Sequence, residues 1–188
     1  MIVVAGPSGS GKTAAFPTGA FGVDHFNVDD RCAQLVGSYR SISQSIRRAV
    51  AAECECFVRE HIDDGRPFAV ETTLRTTAPI EQAELARERG FVTFLRFVSS
   101  GSIAESLARV MQRAQAGGHG ASEGNIRAIY EASTANLAAA VAAFEFVNVY
   151  DSSERWALPR LVATKVRGEL EVLPEPPQWL TTALRPKV

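Results

Sequence analysis

Apolar residues recur along this chain in two rhythms. Short unbroken runs, Ile2-Val3-Val4-Ala5 at the front and Pro67-Phe68-Ala69-Val70 further on, predict strands buried on both faces. Longer stretches space their apolar residues three and four apart. Ile46, Val50, Cys54, Phe57, Val58 and Ile62 predict a helix over 43–64, closed by Asp64-Gly65. The same reading predicts helices over 11–16, cut short by Pro17 and Gly19, over 78–88, stopped by Gly90, over 102–116 and over 122–143. Strands are expected over 2–6, 25–30, 67–70, 91–98 and 146–150. The stretch LVATKVRGELEVL reads as a hairpin turning at Arg167-Gly168, and Trp179 is expected to dock the C-terminus.

Strands that alternate with helices predict an α/β fold: three layers, with a mostly parallel sheet, helices on both faces and a C-terminal β-hairpin. A length of 188 residues suits one domain over 1–188, the hairpin and tail from about 158 belonging to it.

Composition narrows the function classes. The hydrophobic share is 46%, the charged share 22% and the formal net charge −1, as in an ordinary soluble globular protein. Lys and Arg are scattered, so no basic face advertises nucleic acid. The apolar runs are too short for a bilayer, and no secretory segment precedes the first strand, so a cytoplasmic location is expected. Cys32, Cys54 and Cys56 make neither a disulfide framework nor a zinc site.

The first strand runs into GPSGSGKT, which fits the phosphate-cradling pattern G-x-x-x-x-G-K-[ST] between a strand and a helix. Gly6, Pro7, Ser8, Gly9, Ser10, Gly11, Lys12, Thr13 and Ala14 are therefore the candidate nucleotide-binding residues. The glycines leave room for backbone N–H groups to face phosphate, and the helix N-terminus adds its dipole. Lys12 is expected to reach the β- and γ-phosphates, and the Thr13 hydroxyl to ligate Mg²⁺.

Ligands of open α/β sheets gather beyond the C-terminal strand ends. Those ends offer Asn27, Asp29 and Asp30, then Glu71, Thr72 and Thr73, then Asp151. Phosphoryl transfer needs a metal to neutralise charge and a carboxylate to take the acceptor's proton. Asp29 is well placed as that base, whereas Asp30 is given a structural role beside Arg31. Asp29 and Glu71 are also candidate metal ligands, and Asn27, Asp29, Glu71, Thr72 and Thr73 candidate substrate contacts. Arg109 and Arg113, four apart on one helix, are candidates for holding transferred charge, with Arg127 a weaker third. His119 lies in the Gly117–Gly120 break beside them.

The segments VVAGPSGSGKT, FNVDD, FAVETTLRTT, ARVMQRAQAGGHGASEGNIRAIYEASTANL and VYDSS follow one another from Ile2 to about Ser153. Together they resemble the zeta toxin family of P-loop kinases, and especially its small zeta-like kinase branch. The resemblance implies a kinase using ATP, or GTP, with Mg²⁺. It implies transfer of the γ-phosphate to an alcohol acceptor, a nucleotide sugar such as UDP-N-acetylglucosamine. It also implies a separately encoded antitoxin as partner, with no nucleic acid or membrane involved. By position Asp29 would activate the acceptor hydroxyl. Glu71, Thr73 and Arg75 would lie at the acceptor pocket, with His119 in the matching Gly-Gly-His, and Arg109 and Arg113 would stabilise charge. Two departures stand out: GGHGAS replaces the branch's G-G-H-x-V-P, and Ile129 stands where an arginine commonly precedes the tyrosine. Two other readings keep the nucleotide site. One is a kinase for another acceptor, such as an antibiotic or nucleoside; the other is a nucleotide-dependent switch read by a protein partner.

Overall fold

The structure, a computed structural model, describes residues 1–116 and 120–185. The chain builds a seven-stranded sheet in the order β2-β3-β1-β4-β5-β6-β7. Strands β1 (Ile2–Ala5), β2 (Asp24–Asn27), β3 (Phe68–Thr72), β4 (Phe94–Ser99) and β5 (Phe146–Asp151) pair parallel. β6 (Arg160–Val166) and β7 (Glu169–Val172) add the expected antiparallel hairpin. Its turn residues Arg167 and Gly168 both take positive φ, 48° and 103°, which suits a two-residue hairpin loop.

Parallel neighbours force crossovers, and helices supply them. α3 (Gln44–Asp63), α4 (Ala78–Glu88), α6 (Glu123–Ala143) and α7 (Gln178–Ala183) send apolar residues into one core with Val3, Val70, Leu95, Phe97, Val147 and Val149 of the sheet. Ser43 and Ser122 cap α3 and α6 by accepting from Ile46 N and Asn125 N. Phe68, Phe97 and Phe144 are fully buried there. The other sheet face carries α1 (Lys12–Ala15) and a 3₁₀ turn (Thr18–Phe21), whose Phe16 and Phe21 rings lie 4.9 and 5.0 Å from the Arg96 guanidinium. Helices thus occupy both faces unequally, and on the thin side Phe94 and Phe146 stack at 4.9 Å with Phe94 exposed.

Two strands depart most from expectation, at Val28–Asp30 and at Phe91. Val28, Asp29 and Asp30 do not continue strand two; they are the first turn of α2 (Val28–Val36). Asn27 ends the strand, and its Oδ1 accepts from Asp29 N at 2.9 Å and Asp30 N at 3.3 Å, so capping beats the alternating pattern. Phe91 precedes β4 and packs against the core instead of pairing, 6.1 Å from Phe68. Trp179 does dock the C-terminus, on the helix α7: its ring sits 6.3 Å from Phe97 and its Nε1 donates to Asp151 Oδ1 at 3.2 Å.

Candidate active site

The phosphate loop joins β1 to α1, and two of its glycines are required by space. A Cβ on Gly6, at φ 139°, would sit 2.0 Å from the Val98 carbonyl oxygen. One on Gly9, at φ 81°, would sit 2.7 Å from Ser106 O of α5 (Ile103–Gln115). The loop is also held from outside. Ser152 Oγ, just past β5, donates to Ser10 O at 2.7 Å, and Arg109 of α5 donates to the Ser152 carbonyl. Glu105 in turn accepts from Arg109 Nε at 2.7 Å and Arg155 Nε at 2.8 Å. The Arg155 and Arg109 hydrogen bonds hold the Glu105 carboxyl below the usual glutamate range.

Glu71 is the meeting point of the loop with β3. Its Oε1 accepts from the Thr13 hydroxyl at 2.9 Å and lies 3.6 Å from Lys12 Nζ. Both Lys12 and Glu71 side chains are nearly buried, at 10% and 9% exposure, so each neutralises a charge the other would leave costly. Glu71 Oε2 and Ser10 Oγ are buried with no partner. After β3 the chain turns at Leu74, fully buried at φ 54°, whose N donates to Thr72 Oγ1 and whose carbonyl accepts from Asn136. That apolar plug fixes a turn with Thr73 and Arg75 on either side of it.

Lys12, Thr13, Asn27, Asp29, Glu71, Thr72, Thr73, Arg75, Arg109 and Arg113 all line one cavity of about 1270 Å³. Ser8, Gly9, Gly11 and Ala14 line it from the loop; Gly6, Pro7 and Ser10 lie in the same loop but are not among the lining residues. Asn27 is engaged as the α2 cap. Asp29 Oδ1 receives Arg47 Nη1 at 3.4 Å. Asp30 does not pair with Arg31: its carboxylate accepts the Tyr39 hydroxyl at 2.9 Å, and Arg31 binds Glu53 at 2.8 Å. Arg127 pairs with Glu123 at 3.5 Å outside the cavity, and Asp151 holds Ser153 and Trp179 rather than facing it. Gly117, Gly118 and His119 lie outside the described residues. Ile129 lines the cavity in place of the arginine of the small-kinase pattern.

One wall was not anticipated. Tyr39, Arg40, Ser41, Ile42 and Arg47, from the α2–α3 loop and the start of α3, rim the cavity above Asp29. The signal available in the sequence was an aromatic and an arginine between the helix-ending Gly37 and the capping Ser43. Among described residues, six cations (Lys12, Arg40, Arg47, Arg75, Arg109, Arg113) face three carboxylates (Asp29, Asp30, Glu71). In a chain of net charge −1 this concentrates positive field on one cleft, as a polyanionic ligand requires. No cluster of three or more His, Cys, Asp or Glu suited to a metal is found among the described residues. No helix among them is long and apolar enough to cross a membrane.

No protein-family model and no curated protein matches the chain. Solved structures do. A complex of AvrRxo1-ORF1 with AvrRxo1-ORF2 and sulphate ions aligns with TM-score 0.72 at 17% identity, over 100% of this chain and 64% of that one. The same pair with ATP gives 0.70 at 16% identity, again over 100% and 64%. The PezAT chromosomal toxin-antitoxin system of Streptococcus pneumoniae gives 0.59 at 19% identity, over 87% and 71%. The chain thus spans under two thirds of the length of the AvrRxo1 chains. At such identities the shared property is the fold: this chain has the α/β fold of the AvrRxo1 and PezAT chains it aligns with.

Proposed function

We propose that this protein is an ATP-dependent kinase of the toxin type, one P-loop domain that moves the γ-phosphate to a hydroxyl of a small acceptor. The observation that carries the reading is one cavity with two unlike ends. At one end stand the phosphate loop, Lys12 and Thr13; at the other, Asp29 on the first turn of α2. A hydrolysing switch needs no carboxylate base set beyond the phosphates in a wide, Thr-lined cleft.

Lys12, Arg109 and Arg113 carry the charges that suit a triphosphate and its transition state. Asp29 accepts the proton of the acceptor hydroxyl, with Arg47 at 3.4 Å orienting its carboxylate. Thr73 and Arg75 flank the acceptor end, and Glu71, on Thr13 and near Lys12, stands where the phosphate end meets it. The donor set also fits Mg²⁺: the Thr13 hydroxyl and the Glu71 carboxylate, with its buried and unpartnered Oε2, are hard oxygen ligands side by side. Mg²⁺ bound there would neutralise charge on the β- and γ-phosphates. One AvrRxo1 structure holds ATP, the AvrRxo1 structures pair ORF1 with ORF2, and PezAT is a toxin-antitoxin system, which supports ATP as donor and a separate antitoxin as partner.

The acceptor class favoured by the sequence resemblance is a nucleotide sugar, with UDP-N-acetylglucosamine first. The experiment incubates the purified chain with γ-labelled ATP, Mg²⁺ and a panel of nucleotide sugars, nucleosides and aminoglycosides. Label should move to one acceptor, and Asp29→Asn should stop that transfer. If no acceptor gains phosphate and Asp29→Asn leaves nucleotide turnover unchanged, the kinase reading fails.

A further inference from the structure

A phosphate-cradling loop grips its anion only if its backbone N–H groups converge on it. The unit that must be turned is the peptide plane. In a trans peptide the carbonyl of one residue and the N–H of the next point in opposite directions. Whatever holds the Ser10 carbonyl therefore aims the Gly11 N–H. Gly11 lines the cavity and takes φ 83°, with open space where a Cβ would stand, so glycine is required there by backbone conformation and not by crowding. The first hydrogen bonds of α1, from Ala15 N to Gly11 O and from Phe16 N to Lys12 O, start one peptide too late to hold Ser10 O.

The hold comes from across the sheet. Ser152 Oγ donates to Ser10 O at 2.7 Å, over 142 positions of chain. Ser152 is itself buried, and its N donates to Ser99 O at 2.8 Å, just past the pairing of Ser99 with Asp151. That backbone bond already ties the residue to β4. Arg109 Nη1 donates to Ser152 Oγ at 3.3 Å, which occupies a lone pair and leaves the hydroxyl proton for a carbonyl. Two carbonyl oxygens face it, Ser10 O at 2.7 Å and Ser99 O at 3.1 Å, and the nearer belongs to the loop. The hydroxyl thus serves the loop, with its position set by β5 and its direction by Arg109.

We propose that Ser152 is a positioning residue of the donor site: its hydroxyl turns the Ser10–Gly11 peptide so that the Gly11 N–H meets the donor's phosphates. Its role rests on the reading of the phosphate loop as that site. Ser152 acts through Ser10 and Gly11, and the Gly11 N–H meets phosphate rather than nucleoside. Every polyphosphate should therefore feel the loss of the hydroxyl alike.

Calorimetric titration of ATP and of inorganic tripolyphosphate into the wild type and four variants tests it. Ser152→Ala should weaken both ligands by about tenfold or more, the worth of a hydrogen bond to a charged group. Ser152→Thr, which keeps the hydroxyl, should recover most of that loss. Thr93→Val removes another buried hydroxyl, one that accepts from Glu145 N before the start of β4. It should lower the melting temperature and bind both ligands as wild type does. The Gly11 amide gives a second readout by NMR: tripolyphosphate should move its proton downfield in the wild type and leave it in place in Ser152→Ala. Should Ser152→Ala fail to melt cooperatively, Ser152→Cys carries the same two measurements, since a thiol fills the place of the hydroxyl but donates weakly. If the variant binds both ligands as wild type does, if its Gly11 amide moves as far, or if Thr93→Val loses as much affinity, the positioning role is overturned while the donor site stands. If Lys12→Ala binds tripolyphosphate as tightly as wild type, the donor site itself is wrong and the role of Ser152 falls with it.

Discussion

The two ends of the cavity are built on different physical terms. The phosphate end is dense and buried: Gly6 and Gly9 sit where any side chain would strike a carbonyl, and Lys12 and Glu71 neutralise each other out of water. The acceptor rim is thin and wet. Residues 37–41 are exposed, with Tyr39 donating to Asp30 and Arg47 to Asp29 across the rim. The difference teaches that the donor chemistry is fixed by steric and charge constraints with little freedom. On the proposed kinase reading, acceptor identity rests instead on a rim whose members can change without unfolding the protein.

The strongest way to break that contrast is at Lys12. Lys12→Ala should lower ATP affinity by about a hundredfold or more, since a buried charge on the ligand loses its partner. It should also destabilise the fold by about 3 kcal/mol, because Glu71 is left buried and unpaired. Adding Glu71→Gln should restore most of the stability and none of the affinity, as read by thermal melting and by titration. If the single variant melts as wild type does, the burial argument for the phosphate end is wrong.

Asp29→Asn should come next in size. Loss of a general base predicts turnover down by about 10²- to 10⁴-fold. ATP affinity should stay at the wild-type value, because Asp29 stands on α2 away from the loop. A parallel collapse of ATP binding would show that the two ends are not separable.

At the rim, Arg47→Ala should raise the acceptor KM by about two- to tenfold, the worth of a net hydrogen bond or two. The KM for ATP should not move. An equal rise in both would place Arg47 with the donor instead.

The smallest effect concerns the outer support of the phosphate end. Arg155 and Arg109 hold the Glu105 carboxyl below its usual range, so the unfolded chain takes up that proton at a higher pH than the folded one. The stabilisation is therefore full above about pH 4.3, the unfolded glutamate value, and is lost as pH falls through the folded value. Melting curves of Glu105→Gln and wild type should differ at pH 7 and converge toward pH 3. Divergence on acidification would reverse the sign and remove Glu105 from this support.

The same contrast explains how far the sequence could be followed. The phosphate loop is a local device, a glycine pattern between a strand and a helix, and local patterns survive without knowledge of the fold. The mostly parallel sheet and the hairpin at Arg167-Gly168 followed from apolar runs and turn chemistry for the same reason. Strand two went wrong at Val28, where Asn27 turned an alternating pattern into a capped helix. The Tyr39–Arg47 rim escaped notice because a seven-residue polar loop looks the same facing solvent as facing a cleft.

Chain order alone, then, gave a glycine-rich turn of the phosphate-cradling pattern after a buried strand, with Lys12 and Thr13 in it, and acids near other strand ends. Only the folded chain decided which acid does what. Glu71 met Lys12 and Thr13 because β3 pairs directly with β1, placing residues 58 and 59 positions apart in hydrogen-bonding or ionic reach. Asp29 was left facing the cavity because α2 begins where β2 ends. Asp151, as acidic as either, was turned aside to hold Trp179 and Ser153. Residue type sets the chemistry a side chain can perform, but strand pairing sets the distances over which hydrogen bonds and charges act, and those distances assign the roles.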